Sequence, residues 1–159
     1  MTHAEKTVTL LKEKGLHIAF AESCTAGLAV GTLVDVPDAS HVLNASFVTY
    51  ANEAKVRYAH VKEETLAAHG AVSEETALEM AEGVAHETGA EVGVGISGIA
   101  GPGGGTEEKP IGTVCFGFFV NGKRSACTCR FGALSRREVR ESAVRFVFRS
   151  LAALLEKEQ

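Results

Sequence analysis

No run of apolar residues in this 159-residue chain approaches the roughly 18 to 20 needed to cross a membrane, so no stretch reads as a span. Met1 to Lys12 carries charges in an amphipathic helix pattern and reads as that rather than as a signal peptide, which leads us to expect a cytoplasmic protein with no membrane partner. Basic residues are not in excess. The net charge of −4 argues against nucleic acid as a partner, although a local basic group can still hold one phosphate. The cysteines, Cys24, Cys115, Cys127 and Cys129, form no CxxC pair, and the histidines show no HxH or HExxH spacing. Neither a disulfide framework nor a metal site is indicated, and no cofactor is expected. There is also no linker, repeat or charge block, so residues 1–159 read as a single domain.

What is present is ordinary globular material, 45% hydrophobic and 23% charged, enough for one real core. Ala4 to Lys14 reads as a helix ended by Gly15, and Leu16 to Phe20 as a buried strand. A helix is expected from the Ser23 turn to about Asp35, before Pro37. Ala45 to Tyr50 reads as a strand, followed by a short helix that Asn52 caps. Helices follow over Lys62 to His69 and from Ser73 to about Thr88, then a strand over Glu91 to Ser97. Strands over Gly112 to Val120 and Arg124 to Phe131 flank Asn121-Gly122, a strong hairpin signal. Ser135 and Glu138 form a capping box for the last helix. This order predicts a three-layer α/β/α sandwich built on one mixed sheet.

Candidate chemistry centres on Ala21-Glu22-Ser23-Cys24-Thr25-Ala26-Gly27, where a strand gives way to a helix. Ser23 there is either a plain helix N-cap or an exposed nucleophile whose oxyanion the helix N–H groups would hold. Cys24 is intrinsically the better nucleophile, but no histidine is marked as its partner, and a small buried residue is the simpler reading. Without a marked histidine, a lysine is the usual base for such a serine. Lys55, which begins a helix near Tyr50, is either a solvated surface lysine or a partly buried amine of lowered pKa.

The glycine-rich stretch Gly98 to Pro110 is long for a plain connection between strands and reads as a loop that touches substrate. The familiar phosphate-binding labels do not fit it. Gly93-Val94-Gly95-Ile96-Ser97-Gly98 matches GxGxxG but lies inside a strand, and Lys109 is not in a Walker A context.

Three blocks carry a resemblance. They are Ala21-Glu22-Ser23-Cys24-Thr25, then Phe47 through Lys55, then Ile96-Ser97-Gly98-Ile99-Ala100-Gly101-Pro102 continuing to Val114. Together they resemble the signature of the CinA C-terminal domain family, in order from about Leu10 to Leu155. The stand-alone bacterial members of that family are similar to the nicotinamide mononucleotide deamidase. The resemblance implies an α/β/α sandwich, usually oligomeric, hence a homo-oligomer, acting on a small-molecule nucleotide substrate without metal.

It implies Ser23 as nucleophile, Lys55 as base and Tyr50 as the residue that orients or relays the proton. Ser46 and Thr106 fall where polar substrate contacts are expected, and Arg140 where a basic residue faces the nucleotide. Thr25 and Gly98 belong with the substrate-binding positions, and Arg136 is a further candidate for the phosphate. The alternative is a catalytically silent nucleotide-binding or competence-associated interaction module.

Two positions depart from the family pattern. Ala26 replaces a usual glycine, which matters if the backbone there needs positive φ. Leu134-Ser135-Arg136 stands where the family often has Gly-Asp-Arg. The nucleotide-processing domain of full-length CinA proteins is not in this sequence, so no pyrophosphatase activity is expected.

Overall fold

The computed structural model describes residues 1–158. Helix α1, His3–Lys14, starts at a capping box between Thr2 and Glu5 and stops at Gly15, whose φ of 66° is left-handed. It buries Ala4, Thr7, Val8 and Leu11, one stripe at helical spacing. Strand β1, Ile18–Glu22, is buried at all five positions, as a central strand covered on both faces must be. Helix α2, Leu28–Val34, follows, and β2 is only Phe47–Val48, shorter than the six-residue strand that its β-formers predict. Next come helices α3, Asn52–Ala59, α4, Glu63–His69, and α5, Glu74–Thr88. Asn52 does not cap α3; that position falls to Ala51, without a side-chain bond.

Strand β3, Val92–Gly98, precedes the glycine loop. β4, Thr113–Val120, and β5, Lys123–Arg130, then form a hairpin in which Asn121 and Gly122 both have positive φ. Helix α6, Arg136–Lys157, opens at the expected Ser135/Glu138 capping box, so Ser135 takes over the capping work that an aspartate could do.

The sheet order is β2-β1-β3-β4-β5. β1 pairs in parallel with β2 and β3, whereas β3-β4 and β4-β5 are antiparallel. Helices α1, α2 and α6 pack with Phe20, Val94, Phe116 and their neighbours on one face. On the other face, residues of α3, α4 and α5 pack against Ala19, Ala21 and Phe47. The expected three-layer α/β/α sandwich is therefore the architecture found.

The glycines inside the sheet have a packing role. Gly95 and Gly117 are cross-strand partners, and a Cβ on either would lie 2.1 or 2.2 Å from the Ala77 carbonyl oxygen of α5. Two glycines of the GxGxxG match, Gly93 and Gly95, are thus the imprint of a helix backbone seated directly on the sheet.

Candidate active site

Strands β1, β2 and β3 run parallel and release the chain at one edge of the sheet, at Ser23, Thr49 and Ile99 respectively. From β1 the chain turns to α2 on one face, whereas α3 to α5, which carry it from β2 to β3, lie on the other. The crevice at such a change of direction is where open α/β sheets tend to bind ligands. A separate cavity of about 900 Å³ lies among α1, α2 and α6, lined by Thr32, Phe131 and Phe146, and contains none of the residues of this edge.

At the edge, Lys55 Nζ lies 3.1 Å from Ser23 Oγ. Lys55 is 1% exposed and Ser23 8%, so the reading of Lys55 as a solvated surface lysine is excluded. Burial of the ammonium lowers the Lys55 pKa from its ordinary value. Lys55 Nζ also donates to the carbonyl oxygens of Thr49, at 2.8 Å, and Tyr50, at 3.0 Å. Those carbonyls can only accept, so they fix two N–H bonds of the amine. The remaining direction faces Ser23: an N–H when the lysine is charged, the lone pair when it is neutral. Neutral Lys55 is therefore oriented to take the hydroxyl proton of Ser23.

The turn that presents Ser23 differs from the one expected. Ser23 is not a helix cap, because α2 starts only at Leu28 with Gly27 as N-cap. Nor are the helix N–H groups free for an oxyanion. Those of Ala29 and Val30 donate to Glu22 Oε1 and Oε2, both at 2.9 Å, and the Ser23 N–H donates to the Ile96 carbonyl at 3.0 Å. Among the described residues, the N–H groups of Cys24 and Thr25 donate to no main-chain carbonyl. Ala26 has φ of 45°, so the family's glycine is replaced at a position that does use the left-handed region. Cys24 is buried, and burial pushes its thiol up to about 11, which removes it as a competing nucleophile at neutral pH.

The other expected residues divide. Tyr50 is 56% exposed, and its phenol accepts from Arg136 Nη2 at 3.0 Å, so it reaches Lys55 through its backbone carbonyl and not through its hydroxyl. Arg136 also donates from Nη1 to the Gly101 carbonyl at 2.8 Å, tying the start of α6 to the glycine loop. Arg140 is anchored to the turn after Ser23: Nε donates to the Cys24 carbonyl at 2.8 Å and Nη2 to that of Thr25 at 3.2 Å.

Ser46 Oγ accepts from the Phe20 N–H at 2.9 Å, a link between β1 and the lead-in to β2. Thr106 Oγ1 accepts from the Lys109 N–H at 3.0 Å and closes an exposed turn within the loop. Thr25 is fully buried; its hydroxyl and that of Thr49 are the two buried side-chain oxygens without a partner among the described residues. Gly98 ends β3, and a Cβ there would strike Val114 at 2.7 Å, so its glycine serves the contact with β4.

Reasoning from sequence missed Glu22 and the two carbonyls that orient Lys55. The signal for Glu22 was an acidic residue closing an otherwise apolar strand, Ile18-Ala19-Phe20-Ala21.

The chain is thus an α/β/α sandwich with a buried serine–lysine pair at its strand switch. The chain matches the CinA C-terminal domain over residues 1–155, and it belongs to that family. A CinA-like protein of Chloroherpeton thalassium is 56% identical over 114 residues, 72% of this chain and 27% of the relative. Another, of Kosmotoga olearia, is 48% identical over 142 residues, 89% of this chain and 34% of the relative. The chain thus spans about a third or less of these relatives.

Among solved structures, the competence/damage inducible protein CihA of Agrobacterium tumefaciens superposes with a TM-score of 0.93 at 40% identity, covering 98% of this chain and 94% of that one. The competence damage-inducible protein A of Klebsiella pneumoniae gives 0.93 at 33% identity, covering all of both chains. No helix among the described residues is long and apolar enough to cross a membrane.

Proposed function

We propose that this domain hydrolyses the carboxamide of nicotinamide mononucleotide to nicotinic acid mononucleotide and ammonia through an acyl-enzyme at Ser23. The observation that carries the reading is the buried contact between Ser23 and a Lys55 amine whose other hydrogens are fixed by two carbonyls. A solely nucleotide-binding module has no need of that arrangement. The choice of amide rests on membership of the CinA family.

Ser23 Oγ attacks the carboxamide carbon while its proton passes to Lys55 Nζ. The N–H groups of Cys24 and Thr25 are the donors available to the resulting oxyanion. As the tetrahedral intermediate collapses, the C–N bond breaks and Lys55 returns the proton to the leaving nitrogen, releasing ammonia. Water then attacks the Ser23 ester, giving one proton to Lys55, and the acid leaves as Ser23 recovers its hydrogen. Arg136, exposed at the mouth beside Tyr50, offers its charge to the 5′-phosphate, while Arg140 holds the turn.

Ammonia release from nicotinamide mononucleotide, with free nicotinamide as control, tests the proposal. Turnover of the nucleotide and very little of nicotinamide is expected, because the remote phosphate contributes positioning energy. Binding of the nucleotide by the folded protein with no ammonia formed would replace this reading with that of a silent module.

A further inference from the structure

Glu22 is the residue immediately before Ser23, is fully buried, and has no role in the proposed chemistry. No basic side chain among the described residues pairs with its carboxylate; both oxygens are instead held by the N–H groups of Ala29 and Val30, at 2.9 Å each. Helix N-termini usually satisfy such donors with a short cap residue directly before the helix. Here the cap position is Gly27, which has no side chain, and the work is done from across the whole turn. The Glu22 backbone is fixed as well. It sits in register with Val48 and Ile96, and its carbonyl accepts from the Thr49 N–H at 2.8 Å.

Consequently one residue ties together β1, the residue whose carbonyl orients Lys55, and the first turn of α2. The loop that carries Ser23 is closed at its base by this clasp, and Arg140 holds its middle carbonyls from α6. A buried carboxylate without a cationic partner is a costly way to cap a seven-residue helix. The cost is explained if what it fixes is the position of Ser23.

We propose that Glu22 is a positioning residue for Ser23: its carboxylate, bonded to the Ala29 and Val30 N–H groups, closes the Ser23–Gly27 turn and holds Ser23 Oγ against Lys55 Nζ. This rests on Ser23 being the nucleophile, as proposed above. The carboxylate matters as a double acceptor. A glutamine of the same shape keeps one acceptor oxygen and turns an NH₂ donor toward the second N–H, so it opens the clasp without emptying the site.

The test compares wild type with Glu22→Gln on two readouts, at a temperature where circular dichroism shows both to be folded. The first is kcat and KM for nicotinamide mononucleotide. The second is the rate at which phenylmethanesulfonyl fluoride modifies Ser23, followed by mass spectrometry, which needs the nucleophile but not the substrate. A positioning role predicts that kcat and the modification rate both fall by about ten- to a hundredfold, the worth of a charge-assisted hydrogen bond, with KM changed by less than about twofold.

Unchanged kcat and modification rate with only a lower Tm would show Glu22 to be a plain helix cap and overturn the inference. So would a raised KM at constant kcat. If Glu22→Gln does not fold, Glu22→Leu, which fills the volume with no unpaired polar group of its own, is read by the same criteria. Wild type that modifies rapidly at Ser23 yet releases no ammonia would sink the substrate assignment, while the modification rates would still decide the role of Glu22.

Discussion

Lys55 Nζ and Ser23 Oγ meet at 3.1 Å across 32 positions of sequence, because β1 and β2 lie side by side and each releases its chain at the same edge. The pairing depends on register. Glu22 opposite Val48 sets Ser23 beside Thr49, and the first turn of α3 then carries Lys55 back toward the carbonyls of Thr49 and Tyr50.

Lys55→Met is expected to reduce kcat far more than it raises KM, since a proton acceptor acts mainly in the transition state. In the wild type, activity should rise with pH through an apparent pKa below the ordinary lysine value of about 10.4, because only the neutral amine accepts the proton. The shift also has a stability consequence of fixed sign. The folded protein binds this proton less tightly than the unfolded chain does. Wild type should therefore gain stability relative to Lys55→Met as pH rises from the folded pKa to about 10.4, and show no further gain above it. Thermal melts of both proteins across that range check the slope.

Cys24→Ala should leave turnover within a few-fold of wild type. The thiol is buried and its pKa is pushed up to about 11, so little thiolate exists near neutrality. Loss of activity in Cys24→Ala with retention in Ser23→Ala would reverse the assignment of nucleophile.

Arg136 and Arg140 should separate in kinetics. Arg136→Ala is expected to raise KM for nicotinamide mononucleotide about ten- to a hundredfold, with little effect on the phosphate-free riboside. Arg140→Ala should instead lower kcat on both substrates alike, because its guanidinium holds the Cys24 and Thr25 carbonyls. The opposite pattern would give the phosphate to Arg140.

Ala26→Gly should stabilise the protein by up to about 1 kcal/mol, since alanine at φ of 45° carries left-handed strain that glycine does not. Denaturant unfolding measures the change, and a loss of stability would mean that this turn does not hold its left-handed backbone in solution.

The elements with local signals were legible from sequence. The Ala4 to Lys14 helix with its Gly15 stop, the Asn121-Gly122 hairpin and the Ser135/Glu138 box carry their stop, turn and cap residues within a few positions, and all three are found, the first helix also starting at a Thr2 cap that was not foreseen. Non-local features were not legible. Strand β2 shrank to two residues because only Phe47 and Val48 find partners on β1, whatever the β propensity of their neighbours. Ser23 looked like a helix cap because the capping group of α2 is a carboxylate on the far side of the turn. The partnership of Ser23 with Lys55 came from family resemblance, since no spacing rule joins residues brought together by a parallel crossover. The GxGxxG match was placed inside a strand, but nothing local told that α5 rests on Gly93 and Gly95.

The central claim is that Ser23 forms the acyl-enzyme. Rapid quench of the protein during turnover of nicotinamide mononucleotide, followed by peptide mass spectrometry, tests it most directly. A substrate-derived acyl adduct on Ser23 of the wild type is expected. Ser23→Ala, folded normally, should form no adduct and turn over slower by many orders of magnitude, on the order of 10⁶ as in a triad enzyme. Steady ammonia release by Ser23→Ala at near wild-type rate, with no adduct on the wild-type serine, would contradict it.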